Sequence, residues 1–237
     1  MKSSAKTMSI CLMLVLALGL FLPVSSQATI TLLTARNPSA TDHIDWSVLG
    51  PAFPIATEVS NPFTISTTVK HLTLQVSQPS APAEMFTRFD QIPPDPFGWS
   101  GNFAPGAKLI SSSAPMDLVF PNFLSIFQTQ IQSNYFGAFT ATIEALDPAN
   151  NVLASFDVHG NSTSNADNSA IVVGLSDDLA TMNHIRLIVP PDVTGIYGFA
   201  INTVDTLNGA PVPLPPAVWL LGSGLLGLAG WRRFRKG

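Results

Sequence analysis

Apolar and polar residues alternate with a period of two along most of the chain, which is the signature of strands with one buried face. Ile44, Trp46 and Val48 alternate with Asp45 and Ser47. Phe63, Ile65, Thr67 and Val69 alternate with Thr64, Ser66 and Thr68, and Leu72, Leu74 and Val76 alternate with His71, Thr73 and Gln75. The apolar phase flips between Val69 and Leu72, so a bulge or tight turn is expected at Lys70-His71. The clearest unit is "AFTATIEAL", then "DPANN", then "NVLASFDVHG". It puts Phe139, Ala141, Ile143 and Ala145 on one face of a first strand, and Val152, Ala154, Phe156 and Val158 on one face of a second. Pro after Asp, followed by two Asn, supplies the turn of a hairpin. "SAIVVGL", "HIRLIVP" and "GFAINTVDTL" add further strands, for nine to eleven in all.

Helical signals are few. "FPNFLSIFQTQIQ" predicts a turn or two of helix near Pro121 to Gln128, and 20 prolines oppose long helices. The stretch from Gln78 to Lys108 is irregular and rich in Pro, Gly and aromatics. It is read as one strand from Glu84 to Asp90 followed by a long loop, of the kind that is either functional or mobile. No internal repeat stands out. Short, regularly spaced strands with turn signals between them predict an all-β fold, an antiparallel β-sandwich of jelly-roll type.

The two ends break this pattern. Lys2 and Lys6 precede an apolar run from about Ile10 to Val24, and "SSQA" follows. This is the pattern of a secretory signal peptide over 1–28, cut after Ala28, an uncleaved anchor being the weaker reading. Cys11, the only cysteine, lies inside that run, so residues 29–211 hold no disulfide or thiolate. That segment is long enough to bury a core without covalent ties. It carries all 15 acidic residues against five basic ones (Arg36, Lys70, Arg88, Lys108 and Arg186), a net charge near −10. The balance opposes nucleic-acid binding, which rewards basic surfaces through counterion release.

Candidate chemistry in 29–211 is sparse. His43, His71, His159 and His184 form no metal-ligand spacing; Asp157 and His159 share the solvent face of a strand, two ligands where zinc requires three or four. "DPANN", "NSTSNADNS" and "SDD" offer oxygens suited to a structural calcium, but the same residues are turn formers, the reading preferred here. No metal or cofactor is assigned. "GWSGN" has Asn102 where a nucleophile elbow needs Gly, and a Pro-rich loop surrounds Ser100. Asp177 and Asp178 are adjacent turn residues, not an acid–base pair. The one candidate ligand site is carbohydrate-binding: Trp99 and Asn102 in the long loop, flanked by Phe97 and Phe103, with Arg88 and Asp90 nearby. The competing reading makes these aromatics a plug in the end of the sandwich.

The last 26 residues are the most distinctive. Val212, Pro213, Leu214 and Pro215 lead into a 15-residue apolar run from Ala217 to Trp231, and Arg232, Arg233, Arg235 and Lys236 follow. As a helix the run spans about 22 Å, short of the roughly 30 Å of bilayer hydrocarbon. The basic cluster orients such a segment with its positive end cytoplasmic. Gly222, Ser223, Gly224, Gly227 and Gly230 permit close approach to another membrane helix.

This order resembles the PEP-CTERM sorting signals of exopolysaccharide-producing Gram-negative bacteria, in the variant reading Val-Pro-Leu-Pro-Ala. Here Leu214 stands where the common form has Glu, and Pro216 where the variant has Ala. The resemblance implies export by signal peptidase and the secretion machinery, a transient stay in the inner membrane, and removal of the tail by an exosortase. Residues from about Trp99 to Val204 are similar to domains that precede such tails, which implies a jelly-roll fold and no established activity. The expected protein is a non-enzymatic structural or adhesive component of the cell surface or extracellular matrix. The alternative is a carbohydrate-binding module acting on exopolysaccharide.

Overall fold

In the computed structural model, residues 28–52, 55–91, 99–191 and 198–209 are described. The signal segment, with cleavage at Ala28 as its boundary, and the sorting motif, apolar run and basic cluster of 212–237 otherwise lie outside them, as does Phe97. Among the described residues fourteen strands form: β1 (Ile30–Leu33), β2 (Asp42–Ile44), β3 (Thr57–Val59), β4 (Phe63–Ser66), β5 (Thr73–Ser77), β6 (Phe86–Asp90) and β7 (Lys108–Ser112). They continue with β8 (Met116–Ser133), β9 (Gly137–Leu146), β10 (Val152–Ser162), β11 (Ile171–Asp177), β12 (Met182–Ile188), β13 (Phe199–Ile201) and β14 (Val204–Asn208). The count exceeds nine to eleven because three-residue strands such as β2, β3 and β13 are too short to leave a periodic signal.

All pairing between these strands is antiparallel, and β8 joins everything. Its first half lies between β12 and β5, continuing a layer ordered β10-β9-β12-β8-β5-β4. Its second half pairs with β11, and through it β1, on one side. On its other side lie β14 and β13, which carry β2 and the run β7-β6-β3. The chain crosses between layers at the exposed Pro121-Asn122-Phe123. The result is an antiparallel β-sandwich. Its inner faces share one core, with Leu118, Ile143, Ile185 and Leu187 from the first layer and Ile110, Phe127, Leu175 and Val204 from the second.

This corrects the helical turn expected at Pro121 to Gln128, because those residues lie within the longest strand. After the bend, Phe127, Thr129 and Ile131 face inward while Gln128, Gln130 and Gln132 face outward, a period of two obscured by a polar set that is itself buried. The expected β9–β10 hairpin forms, with Ile143 opposite Phe156 and Ala141 opposite Val158. In its turn Asn150 adopts φ 65° and donates its N–H to the Asp147 carbonyl at 2.9 Å, the left-handed geometry that Asn tolerates. The phase flip is a turn, with His71 at φ 53° and the Leu72 N–H bound to Thr67 Oγ1 at 3.0 Å. Thr67 and Val69 belong to that turn rather than to a strand. The alternation from Ile44 also stops early. Asp45 Oδ1 accepts the Ser47 N–H at 2.9 Å and caps a 3₁₀ turn over Trp46–Leu49, which leaves Val48 exposed.

The first layer's outer face carries a cross-strand charge row. Asp117 lies opposite Arg186, and Arg186 opposite Glu144. Arg186 binds Asp117 with both Nε and Nη2, at 2.7 and 2.9 Å, and His184 Nε2 lies 2.9 Å from Asp117 Oδ2. Burial by itself disfavours the charge on Asp117, but the Arg186 hydrogen bonds and the adjacent His184 ring outweigh it and hold the carboxyl below the usual carboxylate range. The folded state therefore binds fewer protons than the unfolded chain in acid. Stability conferred by this group is full above the ordinary carboxylate pKa of about 3.9 and is lost as pH falls through the lower folded value. We expect the urea midpoint of the wild type to fall on acidification below pH 4. Asp117→Asn will be less stable at pH 7 but will lose less on acidification; equal acid slopes in the two proteins would refute this role.

Candidate functional site

From Trp99 onward, the segment that leads into β7 lies over the outer face of the second layer. Alternation along β6 decides what it meets. Phe86 and Arg88 point into the main core, whereas Thr87 and Phe89 point outward. The loop lays Trp99 and Phe103 on this outer face, where they join Leu109 and Ala200, with Phe89 and Ala107 packed against them, in a second, smaller core. Trp99 meets Phe89 at a ring-centroid distance of 5.9 Å.

Three glutamines hold the covering segments. Gln132 Oε1 accepts the Asn102 N–H at 2.6 Å, and its Nε2 donates to Ser162 Oγ at 2.6 Å. Gln130 Nε2 donates to the Ala170 carbonyl at 2.9 Å, while its Oε1 accepts from Asn202 Nδ2 at 2.6 Å. Gln128 receives the Asn37 N–H at 2.7 Å and donates back to the Asn37 carbonyl at 3.1 Å. Asn202 interrupts what sequence alone presents as one strand, separating β13 from β14. Its Oδ1 takes the Gln130 N–H at 2.9 Å, so a side chain replaces a ladder bond.

The sequence-predicted site residues do not converge. Arg88 is 2% exposed, its Nε bound to the Trp46 carbonyl at 3.1 Å and one terminal nitrogen shared by the Phe89 carbonyl and Asp90. Asp90 is held between Arg88 and Lys108, whose Nζ is 2.9 Å away. Both lie on the face of β6 opposite Phe89 and Trp99. Asn102 is buried: its Oδ1 accepts the Thr163 N–H at 2.6 Å, and its Nδ2 faces Thr163 Oγ1 at 2.7 Å and Ser169 Oγ at 2.8 Å. It clamps the 163–169 loop instead of facing solvent. Trp99 is 7% exposed.

Trp99 nevertheless borders a groove of about 690 Å³ that sequence reasoning did not assemble. Thr87, Phe89 and Ser111 lie along it, Asn134 and Phe136 stand on one side, and Glu58, Glu84 and Met85 on another. Phe136 is 62% exposed and Met85 46%. The signal available in the sequence was the aromatic pair Tyr135-Phe136 ahead of the hairpin, but only folding brings Phe136 beside β6. The groove presents aromatic rings, hydroxyls and two carboxylates. It can bind a polyhydroxylated or cationic ligand by stacking and hydrogen bonds. Ser111 Oγ donates to the Thr87 carbonyl at 3.2 Å, and no histidine lines the groove to activate a serine.

The oxygen-rich loops serve as turns. Asp147 accepts the N–H groups of Ala149 and Asn151 at 2.8 and 2.9 Å, and Asp167 binds the Ser169 N–H at 3.0 Å. Hydrogen bonds from Asn151 hold the Asp147 carboxyl below its ordinary range, and those from Ser169 do the same for Asp167. Asp177 receives N–H groups of Leu179 and Met182 at 3.0 and 3.1 Å, and the neighbouring Asp178 the Thr29 N–H at 2.8 Å. Among the described residues, no three His, Cys, Asp or Glu side chains gather around one point. Asp157 and His159 lie exposed on β10. Among the described residues no helix is long and apolar enough to cross a membrane.

No family model and no curated protein matches the chain. Among solved structures it is similar to a DUF4465 family protein from Bacteroides caccae, with 9% identity, a TM-score of 0.40, and coverage of 78% of this chain and 95% of that one. It is also similar to the enzymatically active domain of bacteriophage CBA120 tailspike protein 4, with 13% identity, a TM-score of 0.20, and coverage of 78% and 18%.

The network around Asn102 yields a prediction. Asn102→Ala removes a buried amide and orphans the Thr163 N–H, which costs about 1–3 kcal/mol. A Cβ on Gly101 would lie 2.5 Å from Trp99 Nε1 and still closer to Gln132 Oε1, so Gly101→Ala must displace the same contacts. Both variants should lower the thermal midpoint and speed amide exchange at 163–169; unchanged protection there would show that the clamp does not hold the loop.

Proposed function

We propose that this protein is an exported, non-enzymatic component of the cell surface or extracellular matrix of a Gram-negative bacterium, structural or adhesive in role. The reading rests on one observation, the succession over 212–237 of a proline-rich motif, a short apolar run and four basic residues. Signal peptidase would release the chain after Ala28. The apolar run would hold it at the inner membrane until an exosortase reads Val212 to Pro215 and removes the rest. The sandwich, of jelly-roll type, is the cargo. Its support comes from a cysteine-free body that closes its core by packing alone, and from polar side chains consumed in holding loops.

The test is intact-mass analysis of the exported protein from a host with a matching exosortase. The expected form begins at Thr29 and lacks the residues beyond about Pro215; Pro213→Ala/Pro215→Ala should keep the tail. A surface form that retains the apolar run would defeat the sorting assignment.

The groove favours a second reading, carbohydrate binding to exopolysaccharide. The supporting observation is the exposed Phe136 facing the same cavity as Phe89 and Trp99, beside Ser111, Asn134 and two carboxylates. Phe136→Ala tests it more cleanly than Trp99→Ala, because Trp99 also belongs to the smaller core. Loss of one stacking aromatic should weaken binding to purified exopolysaccharide about tenfold, on the order of 1.4 kcal/mol. Absence of binding, or affinity indifferent to Phe136, would remove the groove from consideration.

A further inference from the structure

Among the described residues, five strands pair on one side only: β1, β2, β3, β4 and β10. The first four are three or four residues long, whereas β10 has 11. Short edges are a common defence against unwanted pairing, along with Lys and Pro on the strand itself. β10 has neither residue, and its one register shift lies at its start, between Val152 and Ala154. From Ala154 to Ser162 its backbone is regular and, among the described residues, has no partner on the side away from β9.

The side chains are also incomplete. On the inner face, Phe156 and Val158 pack against the main core yet remain only partly buried. On the outer face, Asp157 Oδ1 accepts from Thr142 Oγ1 at 2.6 Å, and His159 Nδ1 lies 3.0 Å from Thr140 Oγ1. Asp157 Oδ2 and His159 Nε2 have no partner among the described residues.

We infer that β10 pairs antiparallel with β10 of a second copy about a two-fold axis through Val158, joining two sandwiches edge to edge. The occupant is a second copy because the strand is complementary to itself in this register. Asp157 faces the partner's His159 and His159 the partner's Asp157, an acid opposite a base on both sides of the axis. Ser155 faces the partner's Asn161. On the inner face Val158 meets its own counterpart, and Phe156 lies across from the partner's Gly160, over which the partner's Phe139 ring already leans, so that the two rings become neighbours. The paired strands then cover the core at Phe156 and Val158. A one-residue slip would set inner faces against outer ones. Moving the axis to Asp157 or His159 places like side chains opposite each other.

Sedimentation velocity on the full-length chain in mild detergent, from 1 to 100 μM, tests this. The wild type should dimerise. His159→Glu sets two acids opposite two acids and should weaken the dimer about tenfold or more. Asp157→Lys combined with His159→Glu reverses both charges and should restore the affinity to within about threefold. Circular dichroism verifies that each variant remains folded. A wild type monomeric throughout the range, a dimer indifferent to His159→Glu, or a folded double variant that fails to recover would each overturn the inference.

Discussion

Hydrogen bonding by three buried glutamines on β8 is the constraint from which the rest of the second layer follows. A side-chain amide hidden from water needs partners for both its oxygen and its nitrogen, and each group left bare costs about 1–3 kcal/mol. Gln128, Gln130 and Gln132 lie at successive outward positions of a strand, with their Cα atoms about 7 Å apart from one to the next. Their partners come from Asn37, from Ala170 and Asn202, and from Asn102 and Ser162. Segments distant in sequence are thereby fixed along one line on the sheet. The Trp99–Phe103 cover, the smaller core beneath it and one wall of the groove are consequences of that anchoring.

The same strand makes the sandwich possible. By pairing in both layers, β8 holds the inner faces in register without a disulfide. The two outer faces then diverge in character. One is buried under loops and is satisfied by neutral amides. The other stays largely open and is satisfied by charge, with Asp117, Arg186 and Glu144 in a row across three strands. A carboxylate placed between a guanidinium and an imidazole stays ionised while buried because its solvation is replaced by fixed partners. At the end of β6, Asp90 is bridged by two cations, Arg88 and Lys108.

Local patterns were legible wherever one face of a strand meets the core and the other meets water. The β9–β10 hairpin, its Asp-Pro-Ala-Asn-Asn turn and the phase flip at His71 belong to that class. The pattern failed where both faces are buried. "FQTQIQ" carries a period of two, but its polar positions are covered by loops, so it lacks the apolar–solvent contrast that marks an exposed sheet. The candidate ligand residues failed for a related reason. Arg88 and Phe89 are neighbours in sequence but stand on opposite faces of β6. Asn102 has the composition of a ligand-binding side chain but meets the 163–169 loop. Phe136, which does border a cavity, lies in the short link between β8 and β9, and nothing local along the chain places it beside β6.

By itself the sequence determined the all-β class, the acidic and cysteine-free character of 29–211, and the chemistry of the two ends. These properties follow from composition and from interactions between residues close along the chain. Tertiary structure alone decided that β8 serves both layers, which polar side chains are consumed in holding loops, and that a groove opens between Trp99 and Phe136. Those depend on which distant segments meet, and that choice is made by satisfying every buried amide and filling one shared core together, a condition that no local stretch contains.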